Sequence, residues 1–185
     1  MTDYIRKAVL LFGIAVSFPL QAGEEAVDGA FGLKFGQTLD VSSMEQLATE
    51  KNGGIEYRFM PDNPYRPLSD YSVFVTPGTL RVYKIAGTGH FKSMQSCRSE
   101  LSRLEKVLEN KYVKTSRGIS ERFGDIPTIT FGKGDGKIKA VCEGVFNSRE
   151  LVLVYLDEGL QEQVAQEKAA STSDQQKGLT DTSGL

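Results

Sequence analysis

Apolar positions repeat with two different periods along this chain, and the change from one to the other marks out its elements. Met94, Cys97, Leu101, Leu104, Leu108 and Tyr112 recur at steps of three and four residues through "SMQSCRSELSRLEKVLENKY", which predicts one amphipathic helix over 93–112 with a single buried stripe. Elsewhere the period is two. "YSVFV" (71–75) and "LRVYKIAG" (80–87) alternate on either side of Thr76-Pro77-Gly78-Thr79. That pattern predicts a hairpin closed by a type II turn with positive φ at Gly78. "IEYRFM" (55–60), "GISERFG", "PTITF", "KIKAVCEGVF" and "ELVLVYL" also read as strands, with hairpins around Gly132–Gly136 and Asn147-Ser148. In residues 137–146 the alternation places Ile138, Ala140, Cys142, Gly144 and Phe146 on one face and Lys137, Lys139 and Glu143 on the other. Cys142 and Cys97 are therefore both expected to face the core.

Three further segments complete the outline. "FGLKFG" (31–36) alternates between glycines as a short strand. Ser42 with Glu45 forms a capping box for a helix carrying Val41, Met44, Leu47 and Ala48, stopped by Asn52-Gly53-Gly54. "LQEQVAQEKAA" is a short polar helix anchored by Leu160 and Val164, and "STSDQQKGLTDTSGL" has the composition of a disordered tail. "PDNPYRPLSD" carries three prolines and cannot join a central ladder. The expected class is α+β: an antiparallel β-sheet with two main helices packed on one face. The helix-then-hairpins order occurs twice, as a tandem helix-plus-hairpin arrangement would require.

Composition changes this picture mainly at the N-terminus. Arg6 and Lys7 precede an apolar run from Ala8 to Leu20, with Leu20-Gln21-Ala22 as a cleavage site, so residues 1–22 read as a secretory signal peptide. The run is shorter than the roughly 20 residues of a spanning helix, and a retained anchor is the alternative. No cysteine stands at the cleavage point to carry a lipid. Removing Arg6, Lys7 and Asp3 would move the formal charge from −2 for the whole chain by one unit to −3, which leaves no electrostatic footprint for nucleic acid. The expected organisation is a leader (1–22), one domain (23–158) and a helical and disordered tail (159–185). Two cysteines in an exported chain predict a Cys97–Cys142 disulfide. It would close a loop of about 45 residues and stabilise by roughly 3 to 4 kcal/mol in the chain-entropy view.

Candidate chemistry is sparse. "GKGDGK" (132–137) lacks the spacing and following helix of a phosphate loop and reads as a hairpin tip, with Lys133, Asp135 and Lys137 facing water. Neither cysteine has the paired or electropositive setting of a redox thiol. His90 is the only histidine, expected in an exposed loop before the long helix. It has no neighbouring set of metal ligands, and no nucleophile elbow accompanies it. No catalytic residue, metal or cofactor is predicted. Tyr57, Arg58, Tyr65 and Arg66 flank or occupy the proline-rich loop and have the residue types that anchor interfaces, so they are the candidate partner-binding residues.

"FGLKFG", "YSVFVTPGTLRVYKIAG", the single cysteine in the helix ending "LENKY", and "LVLVYLD" before a polar helix resemble a group of uncharacterised secreted bacterial proteins. The doubled helix-plus-hairpin order is also similar to β-lactamase inhibitor proteins and to the small lipoprotein of the outer-membrane β-barrel assembly machine. The resemblance implies protein binding through a sheet face and loops. The expected function is a periplasmic or secreted binding protein without enzymatic activity, acting on another envelope or secreted protein as an inhibitor or accessory factor. A hydrolase using His90 with a serine and a carboxylate is the alternative, as is a carrier with an apolar cavity between helix and sheet.

Overall fold

A computed structural model describes residues 25–120, 126–144 and 149–180; the signal-peptide reading and the Asn147-Ser148 turn lie outside them. A two-stranded hairpin, β1 (Gly29–Ala30) and β2 (Leu33–Lys34), precedes a four-strand meander: β3 (Gln46–Thr49), β4 (Ile55–Arg58), β5 (Asp70–Val75) and β6 (Val82–His90). Helix α1 (Met94–Glu109) follows, then a second meander of β7 (Lys114–Ser120), β8 (Ile126–Lys133), β9 (Gly136–Glu143) and β10 (Glu150–Asp157), and helix α2 (Glu158–Thr180). The two meanders join through their last strands into one eight-stranded sheet of order β3-β4-β5-β6-β10-β9-β8-β7, with every pairing antiparallel.

The main core lies between α1 and the sheet. Ser93 caps the helix by accepting from the Ser96 backbone N–H, and Cys97, Leu101, Leu104 and Leu108 form its buried stripe, as the periodicity predicts. They meet Ile129, Phe131, Ile138, Ala140, Cys142, Leu151 and Leu153, all buried, and each large side chain removed from water contributes about 1.5 to 3 kcal/mol. Cys97 and Cys142 are both fully buried and joined by a disulfide with Cα atoms 6.0 Å apart. The bridge ties the first turn of α1 to β9, and Cys142 stands opposite Leu151 of β10.

The expectation of two helices on one face is corrected twice. First, no helix starts at Ser42. Asp40 accepts both the Ser42 N–H (3.0 Å) and its hydroxyl (2.7 Å), so the capping group is engaged in a turn. Glu45 pairs with Arg58 at 2.8 Å, and residues 46–49 join β4 as a strand. Second, α2 packs on the face opposite α1. Leu160 and Val164 form a separate cluster with Phe74 and Tyr83, and Phe74 alternates with Val73 and Val75, which point into the main core. The helix also extends to Thr180, beyond the Ala170 expected from its pattern.

Two turns differ from expectation. "FGLKFG" is a hairpin, not a strand: Phe31 and Gly32 form its tip with φ of 53° and 87°, the positive pair of a type I′ turn. Phe31 accepts that conformation while its ring packs edge-on to Tyr71 (5.0 Å) and Tyr155 (5.7 Å) in the core. In the β5–β6 turn the positive φ falls on Leu80 (53°) instead of Gly78. Thr76 N–H donates to the Arg81 carbonyl (3.0 Å) and Leu80 N–H to that of Thr76 (3.1 Å), so the loop is longer than a type II turn.

That turn holds α2 in place. Glu167 accepts from the backbone N–H groups of Gly78 (2.8 Å) and Thr79 (3.2 Å) and from the Thr79 hydroxyl (2.8 Å). Partial burial pushes its carboxyl upward, but these hydrogen bonds outweigh it and leave the group below its ordinary 4.5. A carboxylate with a lowered folded pKa stabilises above the unfolded value and loses that contribution as pH falls through the folded one. The urea midpoint of the protein should therefore fall faster than that of Glu167→Gln as pH decreases below about 4.5. Parallel curves over this range would remove Glu167 from the docking of α2.

Candidate functional site

The four residues proposed for partner binding do not converge. Tyr57 is buried in the main core, opposite Val73. Arg58, the next residue along β4, points to the other face, where it pairs with Glu45. Tyr65 is half-buried and donates its hydroxyl to Glu100 of α1 at 2.6 Å, while Arg66 is exposed. Burial, followed by the Glu100 carboxylate, holds the Tyr65 hydroxyl well above the ordinary phenol range. Leu68 is buried and the Tyr71 hydroxyl donates to the Tyr65 carbonyl at 3.1 Å. The proline-rich loop is thus fastened over the sheet and against α1. A Cβ at Gly89 would overlap the carbonyl oxygen of Pro67, so the loop depends on a bare backbone there.

His90 is not in a loop but ends β6, opposite Glu150. Its Nε2 lies 3.1 Å from Asp70 and its Nδ1 3.5 Å from Glu150. Ser69 donates its hydroxyl to Asp70 at 2.7 Å, and this bond, followed by that to His90, holds Asp70 below the ordinary carboxylate range. With a carboxylate on each ring nitrogen, the imidazole has no free nitrogen directed at a serine. A triad needs one ring nitrogen on the carboxylate and the other on the nucleophile. Among the described residues no group of three or more His, Cys, Asp or Glu side chains is arranged to hold a metal ion, and no helix is long and apolar enough to cross a membrane.

The more distinctive site lies at the far side of α1, where the helix passes over β7 and β8. A cleft of about 340 Å³ is lined by Arg98, Leu101 and Glu105 of α1, Arg117 and Gly118 of β7, and Ile129 of β8, among others. Leu101 and Ile129 are core residues reaching its wall. Glu105 is 5 % exposed, a carboxylate on the otherwise apolar stripe of the helix. It is neutralised from β7 by Lys114 at 3.2 Å and Arg117 at 3.5 Å. Lys114 also pairs with Glu109, and the two carboxylates, Glu109 foremost, raise its ammonium pKa. Arg98 lines the same cleft and has no carboxylate partner among the described residues. The charged lining of the cleft is therefore one carboxylate, Glu105, and two cations, of which Arg117 is paired with it and Arg98 is surplus among the described residues.

Beside it runs the outer edge of the sheet. β7 is the terminal strand, and residues Lys114 to Gly118 are all exposed. Its main-chain groups on the outer side have no strand to pair with among the described residues. A second groove, about 430 Å³, lies between the β1–β2 hairpin and the end of α1, lined by Phe31, Tyr112 and Tyr155 with Lys34 and Lys111 at its rim; it opens to solvent instead of forming a cavity under the helix. Comparisons with protein-family models, with curated proteins and with solved structures each found no match.

Sequence reasoning missed the cleft, although one sign of it was present. Glu105 falls at a position of the helix that Leu101, Leu104 and Leu108 mark as buried, and a charge on such a stripe requires a partner. Finding that partner on β7 requires the fold.

Proposed function

We propose that this chain is an exported binding protein of the bacterial envelope, without a catalytic task, that engages another envelope or secreted protein at the cleft between α1 and β7. The observation that carries the reading is a seven-residue edge strand, paired among the described residues on its β8 side alone, next to a cleft lined by Arg98, which has no carboxylate partner among those residues. Edge strands beside a groove are a recurring mode of peptide recognition, in which main-chain hydrogen bonds supply affinity and the groove supplies specificity. The Cys97–Cys142 bridge supports export, because disulfides of this kind persist in oxidising compartments. Hydrolysis through His90 is less well supported, given the two carboxylates on its ring.

A photo-cross-linking residue at Ser102, which lines the cleft and is exposed, tests this in living cells. It should give a discrete light-dependent adduct with a second protein, whereas the same probe at Glu143, exposed on β9, should not. Equal adducts from both positions, or none from Ser102, would count against the cleft as a binding site.

A further inference from the structure

We infer that the partner presents an extended segment bearing a carboxylate, which adds to β7 as a further strand and directs that carboxylate at Arg98. This rests on the cleft being a binding site and specifies what it binds. The two sheet edges differ in how they are guarded. β3 is four residues long, and its pairing with β4 is broken by a bulge between Gln46 and Ala48. Short, bulged edges of this kind resist further pairing. β7 is seven residues long, and its irregularity is confined to the start, between Lys114 and Ser116. From Ser116 to Ser120 it runs in continuous register with β8, from Thr130 to Ile126. This length has a regular backbone and, among the described residues, no strand on its outer side, which is the template for strand addition.

The side chains also define the occupant. Lys114 and Arg117 are the only charged residues of "KTSRGIS", and both are cations. A second copy pairing antiparallel through β7 would bring these cations toward their own equivalents, a destabilising arrangement across strands. A strand carrying Asp or Glu brings the opposite sign, and Arg98 is the cation of the cleft that has no carboxylate partner among the described residues. Gly118 lines the cleft, and nothing lies within 4 Å of where its Cβ would be. A side chain from an added strand can therefore pass over β7 at that point and reach the cleft.

The test uses the purified full chain with its disulfide intact, panned against a phage-displayed library of random decapeptides. The expected winners carry Asp or Glu within a run of β-branched residues. As synthetic peptides they should slow amide exchange of residues 116–120 at least tenfold. N-methylation of alternate peptide amides should weaken binding at least tenfold, which side-chain contact alone would not cause. Arg98→Glu, on an exposed helix position, should also weaken binding at least tenfold, and Lys139→Glu on the opposite face should leave it unchanged. The inference is overturned by absence of enrichment, by neutral or basic winners, by protection elsewhere, or by concentration-dependent protection of β7 without peptide, which would indicate self-pairing. If Ser102 still cross-links a partner in cells while the peptides fail, strand addition is wrong and the cleft stands as a site. If Ser102 gives no adduct, the functional reading itself fails.

Discussion

Replacing both cysteines by alanine should lower the stability of the domain by about 3 to 5 kcal/mol. The bridge spans a sequence separation of 45, for which loop closure in the unfolded chain accounts for roughly 3 to 4 kcal/mol. Both sulfurs lie in the fully buried part of the main core, so their loss also leaves unfilled space. At about 2 to 4 °C per kcal/mol for a domain of this size, the melting temperature should fall by roughly 6 to 20 °C. The Cys→Ser pair should fare worse, because two hydroxyls would then be buried among apolar side chains, each costing about 1 to 3 kcal/mol unless it finds a partner. Thermal melts of the oxidised protein and both variants decide this. A shift under 2 °C for the alanine pair would mean that α1 is held to the sheet by packing alone.

The second large effect concerns α2 and has a different limit. Val164 is fully buried against Phe74 and Tyr83, and Val164→Asp would place a carboxylate in an apolar contact whose neighbouring cation, Lys84 over the Phe74 ring, is already paired with Glu50. Burying it costs more than the helix gains by docking, so the helix should detach and the loss should stop at the docking energy. That energy comes chiefly from Leu160 and Val164, at about 1.5 to 3 kcal/mol each, with Glu167 adding its hydrogen bonds to the β5–β6 turn. A loss of about 3 to 6 kcal/mol is expected from docking, with α2 becoming open to protease and the main core remaining folded. Limited proteolysis with mass analysis distinguishes the outcomes: cleavage confined to residues beyond Asp157 fits local detachment, while cleavage throughout β7–β10 would mean that α2 supports the whole sheet.

These two helices also show what was legible in the chain. α1 was readable because five leucine, cysteine and methionine positions repeat with its own period, and Cys142 was readable because β9 alternates without interruption. The bridge followed from the two together. α2 has only two strong apolar anchors, which indicate a helix but not which face of the sheet receives it. Ser42 carried a genuine capping signal, yet the same hydroxyl serves a turn equally well, and Asp40 two residues earlier decided between them. Tyr57 and Arg58 are neighbours in sequence and therefore on opposite faces of a strand, so grouping them as one patch overlooked the pleat. The pairing of β6 with β10 is non-local: it joins two meanders through partners as distant in sequence as His90 and Glu150 or Lys84 and Leu156. It is also what leaves β7 at an edge, with its cations near Glu105, and no local pattern encodes that.

Everything proposed for the cleft depends on the chain reaching an oxidising compartment and closing Cys97 to Cys142. Alkylating the endogenous protein under denaturing, non-reducing conditions and measuring its intact mass tests that directly. The expected result is a chain beginning at Gly23, with no alkyl group added before reduction and two added after. A chain that retains residues 1–22 and takes up two alkyl groups without reduction would contradict it.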